Sequence, residues 1–477
     1  MAISSPGVGS GLDVNSIVTQ LVAIEKQPLQ ALQTKATTLQ SQLSLYGTIK
    51  SQVSALKDAA AALASATSWA SQAATSSNTS AATVSVDATA TATSFGLDIT
   101  RLARSQTTAS RTVAAGSSLG AGAGTGQLSI QLGSWGPAGA GPFVAGAGAA
   151  IVVNVNESDT YSTIANAINA ANAGVKATVL KIGNTERLSF QSTTSGSDAG
   201  FSIASNGGFA ALDSLSFTTL GNVSESAAGM ESSQVGLNAT LKINGVAVES
   251  ATNTVSNLVP GVTLNLAQTT AVGSPVQITV AQDKVALQKN IQTFADAYSA
   301  LNKTLTDSTK YVQGGRSGAL QGDSTTVGLQ ALMRKVIGSA STGSTYARLS
   351  EVGLEQQTDG SLKLNTAKLA TAMGDTANLQ KLFTTNNSNT ATNGFGLKLR
   401  DLATGLLAAD GRVSNKSTAL QGAISRNGDE QDRVTERAAR VETRLRAQYS
   451  ALDAQMAKMS SLSSYVTAQL AQWNKTS

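Results

Sequence analysis

The chain has 477 residues, room for two to four domains of ordinary size. It contains no cysteine and no histidine, which excludes disulfides, Cys/His zinc sites, thiol nucleophiles and Ser-His-Asp triads. Lys plus Arg is 34 against 29 Asp plus Glu, a net charge of +5. The basic residues are spread out with no block of five or six, which argues against a nucleic-acid partner.

Charged residues are only 13% and aromatics 4%, so the surface is polar and large apolar anchors are few. Met1 to Gly11 is rich in Ser and Gly, and the first positive side chain is Lys26, so the start does not read as a secretory signal. No run of about 20 apolar residues is present to span a membrane as a helix.

Both ends read as helix. Asp13 is an N-cap candidate ahead of an apolar series at Ile17, Leu21 and Ile24, and Pro28 is expected to kink or restart the helix. From there Leu32, Leu39, Tyr46, Val53 and Ala60 recur by seven. A companion series runs Ala36, Leu43, then slips to Ile49, Leu56 and Leu63. This is the 3-4 spacing of a coiled-coil seam.

The middle changes character near Thr75. Residues 75–82 read as a linker, followed by strands over Ala82–Asp87 and Phe95–Thr100. Gly116 to Gly148 reads as mobile loops around short strands. A short helix is expected over Asp159–Ala173, then strands at Val175–Leu180 and Arg187–Phe190. Asn244-Gly245 between two alternating runs signals a hairpin, because a type I′ turn needs two positive φ angles. Strands continue at Val262–Leu266 and Val276–Val280.

Helical spacing returns at Leu287, Ile291, Phe294, Tyr298, Leu301 and Leu305, and again around Leu329, Leu332, Val336 and Ile337. Asp359-Gly360 marks a second small hairpin. The carboxyl end repeats the heptad pattern: Ala438, Leu445, Leu452, Met459, Val466 and Trp473, with Tyr449, Met456, Ser463 and Leu470 as companions. No proline interrupts Thr418 to Trp473, a helix of roughly 80 Å if continuous. The layout is α+β and multidomain: a helical, coiled-coil body formed by both termini, with a β-rich head inserted between them.

The candidates for chemistry are weak. Gly120, Gly122, Gly124 and Gly126 are spaced by two and match no nucleotide-binding loop. Asp429, Glu430 and Asp432 sit beside Arg426, Arg433 and Arg437, as on a solvated helix face with i,i+4 pairing. No motif marks a Ser-Lys pair. The reading is a non-enzyme without metal or cofactor. Its functional residues are those of the helical seams: Leu32, Leu39, Leu43, Tyr46, Val53 and Leu56 at one end, and Leu445, Tyr449, Leu452, Met456, Met459, Val466, Leu470 and Trp473 at the other. Packing against other subunits is preferred over purely internal packing.

Ser10-Gly11-Leu12-Asp13-Val14 with Leu21, Glu25, Pro28-Leu29 and Leu32 resembles the amino-terminal signature of the flagellar hook-associated protein 2 family, the filament caps. Thr160 to Gly174, with Ala167-Ile168-Asn169-Ala170-Ala171, resembles a repeat of flagellins and hook-associated proteins. Asn244-Gly245, Gly261-Val262-Thr263-Leu264, Phe294 to Leu301, Leu320 to Ser324 and Gly353 to Leu362 resemble later family segments in the right order, although Ser299 stands where the family usually has Asn.

The resemblance implies segments at 1–44 (a coiled-coil leg pairing with 445–477), 45–79, 80–107, 108–235 (an outer antiparallel β-rich head domain), 236–283 (completing an inner one with 80–107), 284–444 and 445–477. It implies a homo-oligomeric ring of five or six subunits at the filament tip, exported through the flagellar channel, that retains flagellin and promotes its insertion. Implied partners are flagellin, hook–filament junction proteins and an export chaperone acting on the carboxyl-terminal region. A surface adhesin using the β head, or a junction protein of the hook, are the alternative readings.

Overall fold

The computed structural model describes residues 13–136, 140–220, 229–315 and 317–474. Ser10, Gly11 and Leu12 of the opening signature lie outside the described residues, as does the Trp473 side chain. The chain divides into two compact units, one of residues 1–69 and 284–477 and the other of residues 70–283.

The first unit is helical. Its helices are α1 (Val14–Ala64) and α2 (Ala66–Trp69) before the insert; α3 (Tyr161–Ala171) belongs to the other unit. After the insert come α4 (Lys284–Thr309), α5 (Ser324–Ile337), α6 (Thr366–Ala372), α7 (Thr376–Thr384), α8 (Phe395–Leu407) and α9 (Arg412–Trp473). Asp13 caps α1 as its sequence position suggests, its Oδ1 accepting the Ser16 N–H at 3.0 Å. Pro28 does not restart the helix: α1 runs through it. One missing N–H and the ring clash cost about 3 kcal/mol, and a helix packed along a partner on both sides of the proline can absorb that.

One core holds this body together. Tyr46, Ile49, Val53, Leu56 and Leu63 of α1 meet Leu287, Ile291, Phe294, Tyr298, Leu301 and Leu305 of α4, with Phe383 of α7 and Phe395 and Leu399 of α8. The α4 stripe expected from spacing is therefore the buried face. Gly396 lets α8 approach the last turns of α1, since a Cβ there would stand 2.8 Å from Ala64 N and 3.1 Å from Ala60 O. Trp69 closes α1 by donating its indole N–H to the Leu63 carbonyl at 2.8 Å, and it stacks on Phe383. The hairpin at Asp359-Gly360 pairs Leu354–Gln356 with Leu362–Leu364.

The second unit is built of antiparallel sheets around two cores. The inner core lies between a five-stranded sheet, in spatial order 72–76, 276–282, 93–101, 239–243 and 246–250, and a three-stranded sheet of 254–256, 262–266 and 82–86. Gln72–Ser76 is a strand paired with Val276–Gln282, so residues 75 and 76 belong to the sheet rather than to the linker expected over 75–82. The helical unit's first share therefore ends at Trp69, short of the 45–79 helical segment expected. Asn244 and Gly245 turn their hairpin with φ of 47° and 86°.

The outer core gathers Trp135, Phe190, Phe201 and Phe217 with Ile164 and Ile168 of α3. Here the expectation of mobile loops around short strands over Gly116–Gly148, of which 137–139 lie outside the described residues, is corrected in one respect: one of the strands is long. Thr125–Ser134 is a ten-residue strand flanked by 200–206 and 151–156. Its glycines serve close packing: a Cβ on Gly126 would meet Leu212 and the Gly207 carbonyl, and one on Gly133 the Val144 carbonyl. Gly120, Gly122 and Gly124 wrap the Glu157 side chain, which would have to shift to admit a Cβ at Gly120 or Gly122.

The Ile168-Asn169 pair also has a physical role. Ile168 is fully buried, while the Asn169 amide both donates to the Ala177 carbonyl and accepts its N–H, each at 2.9 Å. Val175–Ile182 pairs on one side with Thr185–Ser192, so Asn169 blunts the open edge of that strand.

Candidate functional site

The seams at the two ends of the chain pack on each other. Arg446 Nη1 donates to Asn15 Oδ1 at 3.0 Å, and Arg437 Nε lies 3.2 Å from Glu25 Oε2. As one residue number rises the other falls, so α1 and α9 are antiparallel. Arg437 thus pairs across helices with Glu25 rather than along α9, whereas Arg440 with Glu436 and Arg446 with Glu442 do pair at i,i+4. Asp429, Glu430 and Asp432 lie on the exposed face of α9. Among the described residues no group of three or more carboxylates is placed to hold a metal ion.

The apolar residues that close the far end of the pair are not those expected. Val14, Val18 and Val22 are buried against Ala438, with Leu445 and Tyr449 packed on them. Ile17 is half-buried, and Leu21 and Ile24 are exposed. The i,i+4 valine stripe points at α9 because it is on the side that Asn15 and Glu25 flank. The larger residues point away.

The seam residues fall into three classes. Tyr46, Val53 and Leu56 are buried in the main core, so they are filled by this chain and are not free for a partner. Leu32, Leu39 and Leu43 are half-buried, as are Leu445 and Tyr449. Leu452, Met456, Met459, Val466 and Leu470 are exposed, at 42% for Leu452 and 68% for Met459. Leu462 and Tyr465, which the heptad count passes over, broaden the same exposed face.

Packing of α9 on α1 therefore ends at Tyr449 among the described residues. The expected pairing of 1–44 with 445–477 is corrected: the observed partners of residues 14–25 are 437–449. Beyond Tyr449 the helix continues for about 36 Å to Trp473.

Polar contacts fix the register of the packed part. The Tyr46 hydroxyl donates to Asp323 Oδ1 at 2.6 Å and lies 2.9 Å from Thr326 Oγ1. Lys416 Nζ of α9 lies 2.7 Å from Asp323 Oδ2. Asp323 also caps α5, accepting the Thr326 N–H at 2.9 Å. One carboxylate thereby ties α1, α5 and α9 together. Burial would raise its pKa, but the hydrogen bonds from Lys416, Tyr46 and Thr326 outweigh that and hold it at about 2. Burial, then the Asp323 hydrogen bond, pushes the Tyr46 phenol well above its usual value. This cluster was not singled out from sequence. Leu320 to Ser324 was noticed only as a family segment, and nothing in it names Tyr46 as a partner.

Asn427 is the other polar feature of the seam. It is 1% exposed, one heptad after Leu420, and its Oδ1 accepts the Gln431 amide at 2.7 Å. Its Nδ2 has no partner among the described residues. A buried Asn in an apolar seam lowers stability and specifies one register.

Comparison with known proteins matches these regions. The family model described as flagellar hook-associated protein 2 N-terminus covers residues 10–106, and its C-terminus counterpart covers 236–461. The flagellin hook IN motif covers 143–194, which includes α3 and Asn169. Flagellar hook-associated protein 2 of Escherichia coli K12 is 30% identical over 98% of both chains. That of Salmonella typhimurium is 28% identical over the whole of each. The crystal structure of the D1-D2-D3 domains of the Escherichia coli flagellar cap protein aligns with a TM-score of 0.56 at 29% identity, covering 79% of this chain and 99% of that one. The family matches meet this chain at both ends of the helical body and across the inner sheets, and full-length relatives carry the same order of segments. The chain belongs to the flagellar hook-associated protein 2 family.

Proposed function

We propose that this protein caps the distal tip of the bacterial flagellar filament. Copies of the chain form a homo-oligomer there, retain exported flagellin and promote its folding and insertion as the filament grows. The observation that carries the reading is end-to-end correspondence with a hook-associated protein 2 chain, together with likeness to a solved flagellar cap protein. It is an assembly role, with no catalytic step assigned to any residue. No helix among the described residues is long and apolar enough to cross a membrane.

The paired termini suit a leg. The α1–α9 seam is locked near Asp323 and, among the described residues, bare beyond Tyr449, so that part is the one we assign to partners. Flagellin and hook–filament junction proteins are the partners of the assembled cap, and an export chaperone is the partner of the carboxyl-terminal region before export. Export through the flagellar channel places the protein outside the cell, and a chain without cysteine cannot be trapped by disulfides on the way.

Deleting the gene tests the reading. The expected result is loss of filaments, with unpolymerised flagellin released into the medium and recovery on complementation. Normal filaments with lost surface attachment would overturn it and favour an adhesin. None of the relatives reported above carries an adhesin or junction-protein name.

A further inference from the structure

The sequence holds Asn-Gly steps at Asn206, Asn244, Asn393 and Asn427. An Asn followed by glycine can react with its own backbone. The glycine nitrogen attacks the Asn Cγ, because no Cβ on the glycine shields that nitrogen. The reaction asks three things of a fold: a free side-chain amide, a free glycine N–H and a backbone able to rotate between them. These steps differ in all three. Asn244 Oδ1 accepts the Gly96 N–H at 2.9 Å, while its own N–H donates to the Gly96 carbonyl at 3.0 Å. Asn393 is 7% exposed and its Oδ1 accepts the Asn387 N–H at 2.8 Å. The Gly394 N–H that follows donates to the Thr385 carbonyl at 2.8 Å. Asn427 is 1% exposed within α9, where the Gly428 N–H belongs to the helix's own bonding and Oδ1 accepts from Gln431. All three are pinned.

Asn206 is open on every count. It is exposed at the end of the strand Gly200–Asn206. Among the described residues neither its side-chain amide nor the Gly207 N–H has a hydrogen-bond partner. Ile203 turns away from the Thr125–Ser134 strand to bond Phe217, so alternation makes Asn206 face Gln127 and leaves the Gly207 N–H pointing outward. Gly207 and Gly208 follow with φ of 70° and 101°, and nothing lies within 4 Å of where a Gly207 Cβ would stand. Two glycines in a row let the backbone after Asn206 rotate.

We propose that Asn206-Gly207 is a self-modification site on the outer head, where the Asn206 amide converts to a carboxylate. The Gly207 nitrogen bonds to Asn206 Cγ, and ammonia leaves with the displaced proton. Water then opens the resulting succinimide at either carbonyl, giving aspartate or isoaspartate. Water is the sole co-reactant, and nothing is oxidised or reduced. Either product puts a carboxylate into a hollow of about 460 Å³ whose other lining residues, among them Thr125, Gln127, Asn154 and Asn156, carry no charge. Isoaspartate also adds a backbone carbon just before the short helix at 210–215, whose Leu212 and Leu215 are fully buried in the outer core. The exposed head thereby carries a change that accumulates with the age of the molecule.

The test incubates the native full chain in water labelled with heavy oxygen. Every ring opening leaves a label that mass spectrometry reads. Trypsin puts each Asn-Gly step on its own peptide, because Lys242, Lys381 and Arg426 lie between them. The expected result is label at Asn206 at least about tenfold faster than at Asn244, Asn393 or Asn427, which must first open locally. In urea the rates should converge, since the pinning contacts are gone. Label entering any of the other three as fast as Asn206 in the folded chain would overturn the assignment. So would a folded chain that stays unlabelled at Asn206 while the urea sample takes up label. An equal lead for Asn206 in urea would overturn it too, because neighbouring residues rather than the fold would then set the rate.

Discussion

The two halves of α9 carry the same heptad pattern and meet opposite fates. From Val413 to Tyr449 the apolar positions turn towards α1, and Val413, Leu420 and Ala438 are fully or nearly buried. From Leu452 to Leu470 equally apolar residues stand open. Spacing shows that a helix needs a partner along one stripe. It does not say where along the helix that partner stops. Among the described residues it reaches Tyr449, opposite Val14 at the start of α1. The packed half is scaffold, and the open half is the surface that the proposed capping role would use.

The sharpest way to break this contrast is to put a charge into the scaffold. Val53→Asp buries a carboxylate with no partner at a fully buried position. A loss of about 4 kcal/mol or more is expected, unfolding the helical body in a denaturant titration. The sheets of the inserted unit, with their own two cores, should keep their circular dichroism signal. A Val53→Asp chain as stable as the parent would mean that α1 does not belong to the core.

The next comparison sets the halves of α9 side by side. Leu445→Asp removes a contact with the Val14–Val22 stripe and should cost about 1–3 kcal/mol locally, seen as faster amide exchange near Val18. Leu452→Asp changes an exposed position and should leave stability within about 0.5 kcal/mol, yet impair filament growth. If Leu452→Asp melted the helix as Leu445→Asp does, the boundary at Tyr449 would be misplaced. If the Leu452→Asp strain swam normally, the open half would have no role in capping.

The smallest effect expected is at the latch. Tyr46→Phe removes the hydroxyl that Asp323 and Thr326 share and should cost about 1–2 kcal/mol. The phenol's pKa is raised in the folded state, so its stabilising effect is fully present below the unfolded value near 10 and is lost as pH rises beyond it. Asp323 is depressed to about 2, so its contribution holds above the unfolded value near 4 and is lost as pH falls towards 2. Thermal melts of Tyr46→Phe and the parent should converge above pH 10. A gap that persisted there would show that the hydroxyl acts through packing rather than through the hydrogen bond.

Much of the architecture was readable from local pattern. The α4 stripe, the Asn244-Gly245 turn and the helical character of both termini are each dictated by a few neighbouring residues, through periodicity or the φ a turn demands. The segments that misled did so for tertiary reasons. Gly116 to Gly148 reads as loose because glycine is flexible in an isolated chain. In the fold, Gly126 and Gly133 sit where a neighbouring carbonyl occupies the space of a Cβ. Ile17, Leu21 and Ile24 outweigh Val14, Val18 and Val22 in size, yet the valines face α9.

The candidate site was legible in the same uneven way. Every seam residue lies on α1 or α9, where the heptads put it. Which of them are covered was not legible, because coverage depends on where the antiparallel partner begins. The Tyr46–Asp323–Lys416 cluster was invisible for a related reason: its three residues are brought together from three helices far apart in the chain.

What the sequence by itself determined was the absence of thiol and imidazole chemistry, the helical ends and the β insert. Composition and short-range periodicity are properties of neighbouring residues and need no fold to be read. What only the tertiary structure decided was the division of one continuous helix into a buried scaffold and an open tail. Burial depends on which surfaces meet, and two stripes of equal hydrophobicity differ only in whether another segment lies against them.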